Sequence, residues 1–224
     1  GANWTERQPA GAGVKKWLSV DSDSDGSNLI AGMFESRLYT SSNSGVNWTE
    51  RQPAGNINGT WVVASDADGS NLIVAARDAR LYTSSNGGVN WTERQPAGVS
   101  NQAWTSVSSD DDGSHLIAAV SNGRLYVSDD SGVSWDEEIP LGSLNKFWTS
   151  VTSDDDGSHF AAASLSDPLY ISPDIIEPAI SSVDPADGAI EVDLSTTFTI
   201  VFDEDIATST GNIVLYDASD DSVV

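Results

Sequence analysis

Hydrophobic and polar positions fall into short runs that end in turn residues, and one stretch shows the pattern in full. Trp104-Thr105-Ser106-Val107-Ser108 alternates large and small side chains, as a half-buried strand does. Asp110-Asp111-Asp112-Gly113-Ser114 reads as a tight turn, with Gly placed where a positive φ is needed. His115 to Val120 is an apolar run suited to a strand covered on both faces. Ser121-Asn122-Gly123 turns the chain, Arg124 to Ser128 is a third strand, Asp129 to Gly132 turns it again, and Val133 to Ile139 is a fourth. Helical periodicity is missing from this region.

The pattern repeats every 43 to 44 residues. Asn-Trp-Thr-Glu-Arg-Gln-Pro-Ala-Gly stands identically at Asn3–Gly11, Asn47–Gly55 and Asn90–Gly98, with a divergent copy at Ser134–Gly142. One tryptophan recurs at Trp4, Trp48, Trp91 and Trp135, and a second at Trp17, Trp61, Trp104 and Trp148, so all eight belong to the repeat. A long period with four strands per unit predicts an all-β protein built of propeller blades. The repeated Trp and Tyr are expected to pack between blades.

The ends of this region fix the expected count. The first copy, Asn3 to Arg7, has a fourth-strand sequence, and the last unit runs out of pattern after Leu169-Tyr170-Ile171-Ser172. Lending the N-terminal strand to the last unit predicts a four-bladed propeller over residues 1–172, closed without an open edge. Two other arrangements fit the same pattern: a piece of a larger propeller, or a ring shared by two chains. Residues 173–178 read as a linker. Residues 179–224 carry about three strand signals, among them Ser195 to Phe202 and Asn212 to Tyr216, too few for a stable sheet alone. That unit is expected to be a partial β-sandwich, truncated or completed by another chain.

Composition narrows the partners. The 224 residues include 34 acidic against 10 basic side chains, a formal net charge of −24. Such a chain is repelled by nucleic acid and by anionic membranes. No apolar run reaches the roughly 20 residues of a membrane helix, which argues against membrane insertion. Cysteine is absent, so disulfides and thiolate metal sites are excluded.

Ser128-Asp129-Asp130-Ser131-Gly132-Val133-Ser134-Trp135 fits Ser-x-Asp-x-Gly-x-Ser/Thr-Trp at every fixed position. Ser41–Trp48 and Ser84–Trp91 fit with Asn43, Asn47, Asn86 and Asn90 as replacements. The repeats therefore resemble the Asp-box, or BNR-type, propellers of sialidases, sortilin-like receptors and photosystem assembly factors. The resemblance implies a structural turn at Ser41, Asn43, Gly45 and Trp48, at Ser84, Asn86, Gly88 and Trp91, and at Ser128, Asp130, Gly132 and Trp135. In it the Asp or Asn caps backbone N–H groups and Trp plugs the blade. Residues Val183 to Ala189, Phe198 to Asp205 and Thr210 to Ile213 resemble a bacterial Ig-like domain of surface proteins, which implies a secreted or surface-displayed bacterial protein.

Three sets of residues are candidates for chemistry. Asp21, Asp23 and Asp25 alternate before Gly26 like the start of a Ca²⁺ loop, although the ninth and twelfth positions are Leu29 and Gly32. Arg37, Arg80 and Arg124 recur just before Leu-Tyr, with Pro168 in the fourth unit. A sialidase-like site would need an arginine cluster that breaks the repeat, so an inter-blade contact is the expected role here. His115 and His159 replace Asn28 and Asn71 and read as surface polar residues rather than metal ligands. Taken together, the sequence predicts a non-catalytic adhesion or structural module. Its expected partners are copies of itself or other surface proteins, and its Ig-like tail would build an array or filament. The alternative is a carbohydrate-binding propeller with glycosidase activity.

Overall fold

The computed structural model describes residues 3–55, 59–140, 145–165, 167–173, 180–184 and 199–202. The chain divides into two compact units, Gly1–Ile175 and Ile176–Val224. All regular structure among the described residues is β.

The first unit is a succession of antiparallel blades. Blade 1 comprises β1 (Trp17–Ser22), β2 (Leu29–Met33), β3 (Leu38–Ser41) and β4 (Thr49–Arg51) in sequential order. Blade 2 repeats it with β5 (Trp61–Ser65), β6 (Leu72–Ala76), β7 (Leu81–Ser84) and β8 (Thr92–Arg94). Blade 3 comprises β9 (Trp104–Ser109), β10 (Leu116–Gly123), β11 (Leu125–Ser128) and β12 (Asp136–Glu138). Blade 4 has three strands among the described residues, β13 (Lys146–Ser153), β14 (Phe160–Ser164) and β15 (Tyr170–Ile171), and the end of β10 pairs with the start of β13 so that blades 3 and 4 share one sheet. The register is kept from blade to blade: Tyr39 faces Glu50, Tyr82 faces Glu93 and Tyr126 faces Glu137.

Each core lies between two successive blades. Ile30 and Leu38 of blade 1 pack with Trp61, Val63, Leu72 and Val74 of blade 2. Ile73 and Leu81 of blade 2 pack with Trp104 and Leu116 of blade 3, and Ile117 and Leu125 of blade 3 with Trp148 and Phe160 of blade 4. The second strands of blades 2 and 3, β6 and β10, are therefore covered on both faces, which is why they read as continuous apolar runs. In blades 2 and 4 the second tryptophan also reaches back to the preceding blade. Trp61 Nε1 donates to the Ser36 carbonyl at 3.0 Å, and Trp148 Nε1 to that of Gly123 at 3.2 Å. Within a blade it meets the repeated tyrosine edge to face, as Trp104 does Tyr126 at 5.8 Å.

The expected closure is not what the structure shows. Residues 3–8 form no strand, and Trp4 is 97% exposed. Among the described residues β15 pairs only with β14. Packing between blades holds for Trp61, Trp104 and Trp148 but not for Trp17, which is 38% exposed because β1 has no blade on its outer face to meet it.

In the second unit β16 (Ile180–Asp184) pairs antiparallel with β17 (Thr199–Phe202). The linker residues 174–178, the expected strand Asn212–Tyr216, and most of the residues carrying the Ig-like resemblance lie outside the described residues.

Candidate functional site

Two kinds of turn organise the rim of the first unit, and each is built by short polar side chains. In the Ser-x-Asn/Asp-x-Gly turn, Ser41 Oγ accepts from Gly45 N at 3.0 Å and donates to Asn43 Oδ1 at 3.1 Å. Asn43 Oδ1 accepts from Asn47 N at 2.8 Å, and Trp48 Nε1 closes the turn on the Gly45 carbonyl at 3.0 Å. Ser84, Asn86 and Gly88 repeat the serine and amide bonds without the tryptophan closure, and Ser128, Asp130 and Gly132 repeat the whole, with Trp135 Nε1 on the Gly132 carbonyl at 3.0 Å. The two central residues of each turn have positive φ: Ser44 and Gly45, Gly87 and Gly88, Ser131 and Gly132. With the bonds from Val46, Val89 and Val133 N to the carbonyls of Asn43, Asn86 and Asp130, that is the backbone of a type I′ turn within the loop between the third and fourth strands. Trp91 then packs on the core between blades 1 and 2, and Trp135 on the core between blades 2 and 3.

The second kind is the Asp-Gly turn between the first two strands of a blade. Asp23 Oδ2 accepts from Ser27 Oγ, Asn28 N and Asn28 Nδ2 at 2.9, 3.0 and 2.7 Å. Asp66 and Asp110 do the same with Ser70 and Asn71, and with Ser114 and His115. Burial raises the Asp23 carboxyl, but these donors outweigh it and hold it below the usual value; in Asp66 burial wins and the carboxyl is raised.

These turns stack on one another from blade to blade. Ser24 N donates to the Ala67 carbonyl, Ala67 N to that of Asp111, and Asp111 N to that of Asp155, at 2.8–2.9 Å. Asn28 Nδ2 and Asn71 Nδ2 add a second rung, to the carbonyls of Asp68 and Asp112. Deeper in the unit Val63 N donates to Ser19 Oγ and Ser65 N to Asp21 Oδ2, at 3.2 and 2.8 Å. Val151 N and Ser153 N likewise donate to Ser106 and Ser108. Small polar residues on the first strand thus tie blade 1 to blade 2 and blade 3 to blade 4, whereas blade 2 carries Val62 and Ala64 at those positions. Their sequence signal is the alternation Ser19, Asp21 and Ser106, Ser108, which reads in isolation only as an exposed strand face.

The calcium candidates are placed differently from a loop of ligands. Asp21 lies on β1 and serves Ser65 N and Ser22 N; Asp23 is buried under its turn; Asp25 accepts from Ser27 N at 2.8 Å. Among the described residues no three carboxylate or imidazole side chains gather into a metal-holding group.

The arginines pair within their own blades, and Arg80 Nη1 also donates to the carbonyl of Gly98, between blades 2 and 3, at 3.3 Å. Arg37, Arg80 and Arg124 pair with Glu50, Glu93 and Glu137 at 3.6–3.9 Å, across the third and fourth strands. Arg124 Nε also reaches Asn145 Oδ1, ahead of blade 4, at 3.1 Å. His115 departs from a plain surface role, since its Nδ1 lies 2.8 Å from the buried Asp110 Oδ2.

A polar cleft of about 460 Å³ opens between blades 1 and 2, lined by Thr40, Asn43, Asn47, Arg51 and Asp68. An apolar one of about 500 Å³ opens between blades 3 and 4.

Asp130 offers a test of the Ser-x-Asn/Asp-x-Gly turn. Its carboxyl is raised by burial but held lower overall by Ser134 and Ser128, and the two other turns carry Asn in its place. A folded pKa below the unfolded one stabilises fully above about pH 4 and is lost as pH falls through the folded value. Asp130→Asn is therefore expected to cost less than about 1 kcal/mol at pH 7, chiefly the bond from Ser134 Oγ. The gap to the parent should close below about pH 4, read from urea midpoints across pH.

Comparison with known proteins gives fold and one domain family. Residues 174–224 match the family described as "Bacterial Ig-like domain". No curated protein matches. The first unit is similar to an ancestral GH74 enzyme (TM-score 0.55, 15% identity, 70% of this chain and 25% of that one). It is also similar to the GH74 xyloglucanase from Xanthomonas campestris (TM-score 0.53, 20% identity, 75% and 25%). A third similar structure is YCF48 bound to D1 peptide (TM-score 0.50, 12% identity, 70% and 55%). The chain spans about a quarter of the length of the GH74 structures, and the likeness is one of fold: an all-β propeller arrangement followed by a region of bacterial Ig-like sequence.

Proposed function

We propose that this chain is a non-catalytic module of a bacterial secreted or cell-surface protein, acting as a rigid scaffold in adhesion, assembly or display. One observation carries the reading. The polar residues that recur from blade to blade are spent on structural bonds: the Asp-Gly ladder through all four blades, the first-strand links of blades 1 and 3, and the turns at Ser41, Ser84 and Ser128 of blades 1 to 3, which we read as Asp-boxes. A row of near-identical blades gives stiffness and repeated contact surfaces. The Ig-like match at 174–224 supports surface placement. Antibody labelling and protease shaving of intact source cells test it. Surface labelling lost after shaving is the expected result, and confinement to the cytoplasm would overturn it.

A second reading is favoured by the polar cleft between blades 1 and 2. Its amide, hydroxyl and guanidinium groups suit the hydroxyls of a glycan. Calorimetric titration with xyloglucan oligosaccharides separates the two readings, because binding lost in Arg51→Ala would place a glycan there.

A further inference from the structure

Blade 4 exposes what its neighbours cover. Leu38, Leu81 and Leu125 are buried beneath β4, β8 and β12, whereas Leu169 at the same repeat position is 66% exposed and Ile171 is 59% exposed. The apolar cleft beside them is lined by Ile117, Leu125, Phe160, Ala162, Leu169 and Tyr170. Ile117, Leu125 and Phe160 are the repeat equivalents of Ile30, Leu38 and Leu72, which belong to the core against which Trp91 packs. The cleft lies where a fourth-strand tryptophan belongs.

The chain itself carries a matching strand. Asn3–Gly11 is identical to Asn47–Gly55 and Asn90–Gly98, which supply β4 and β8. Its Trp4 is almost wholly exposed, and its spacing to Trp17 is the same as that from Trp48 to Trp61. The segment therefore leads into β1 over the same length that leads β4 into β5. The outer face of β1 is open too: Val20 is 72% exposed, while Val63 at the equivalent position of β5 is buried in the core between blades 1 and 2. The exposed strand, the open face behind it and the uncovered edge of blade 4 are the two halves of one ordinary blade-to-blade junction. They stand at opposite ends of the row of blades.

We propose that a second copy of this chain completes the junction. Asn3–Arg7 of one copy adds antiparallel to β15 of the other, with Trp4 in the apolar cleft and β1 against blade 4. The repeat register sets Thr5 opposite Ile171, Glu6 opposite Tyr170 and Arg7 opposite Leu169. Polar chemistry at the rim agrees. Tyr39 and Tyr126 each donate to the facing glutamate at 3.5 Å, and Tyr170 meets Glu6 in the same way. Pro168 stands where the other blades have arginine, but Lys146 Nζ, paired with Asp167 at 3.0 Å, lies 5.3 Å from the Tyr170 ring centroid and leaves a cation beside Glu6 to be shared with Asp167. One mismatch is real: Arg51 and Arg94 donate to Thr40 and Thr83, and Ile171 offers Arg7 no such acceptor. The charge of −24 on each copy opposes association, so added salt strengthens it. The proposal is independent of whether the module sits at a cell surface.

Sedimentation equilibrium on the full 224-residue chain in 0.5 M NaCl tests it. A dimer or larger closed assembly is expected, weakened about 100-fold or more by Trp4→Ala. The melting temperature of the dilute protein should be unchanged by that substitution, because Trp4 packs against nothing in the single chain. Register is read separately. Thr5→Cys and Ile171→Cys made in separate copies of this cysteine-free chain should give, on mixing and oxidation, a disulfide-linked heterodimer in preference to either homodimer. A monomer at all concentrations would overturn the proposal. So would a within-chain disulfide in the double variant, or an assembly that Trp4→Ala leaves intact, which would place the contact in the Ig-like unit.

Discussion

Gly113→Ala is expected to lower the melting temperature of the first unit by about 5–15 °C, and Gly26→Ala by only about 2–5 °C, although both glycines hold the same place in the repeat. Both have φ near +75°, where an alanine costs about 1–2 kcal/mol. They differ in what lies outside the turn. A Cβ on Gly113 would stand 2.5 Å from Asn71 Cβ, whereas one on Gly26 meets nothing within 4 Å. Asn71 cannot yield, because its Nδ2 bonds both Asp66 Oδ2 and the Asp112 carbonyl. Forcing the turns apart breaks this rung and strains the backbone bond from Ala67 N to the Asp111 carbonyl, adding about 1–3 kcal/mol of overpacking. Thermal unfolding followed by circular dichroism distinguishes the two variants. Equal shifts would mean that the stacked turns are not a source of stability.

The blades were legible because their turns are. Asp-Gly, Asn-Gly and Ser-Gly pairs punctuate runs whose alternation is strict, so strand number and order follow from local chemistry. What joins one blade to another was less legible. Ser19 and Asp21 look like solvent-facing strand residues until β5 is laid beside β1, when they become acceptors for Val63 N and Ser65 N. The same placement gives Asp21, Asp23 and Asp25 separate hydrogen-bond partners. The strand ends at Ser22, so Asp21 projects from a sheet while Asp23 turns inward beneath its own hairpin. His115 shows the converse limit. Its substitution for Asn28 and Asn71 suggested a tolerant surface position, yet the ring replaces the amide as a partner of a buried carboxylate. At the N-terminus the strand sequence of Asn3 to Arg7 was plain, but a strand is a relation between two segments, and sequence names only one of them.

Trp61→Ala and Trp17→Ala make the sharpest pair of measurements, because the two residues occupy one repeat position in different surroundings. Trp61 is 2% exposed, packs in the core between blades 1 and 2, and donates to the Ser36 carbonyl. Its loss should cost about 3–5 kcal/mol, the range for a truncated buried aromatic, with the Ser36 carbonyl keeping only its bond from Gly59 N. Trp17 meets Tyr39 edge to face at 5.8 Å but has no preceding blade, so Trp17→Ala should cost roughly 1 kcal/mol in dilute solution. Urea midpoints at submicromolar protein check both values. Equal costs at that dilution would show that the outer face of β1 is already covered within a single chain. If instead a second copy covers it, the cost of Trp17→Ala must grow with protein concentration, since association stabilises only the folded chain that offers the intact face. The cost of Trp61→Ala must stay the same at every concentration, because the blade that buries Trp61 belongs to its own chain.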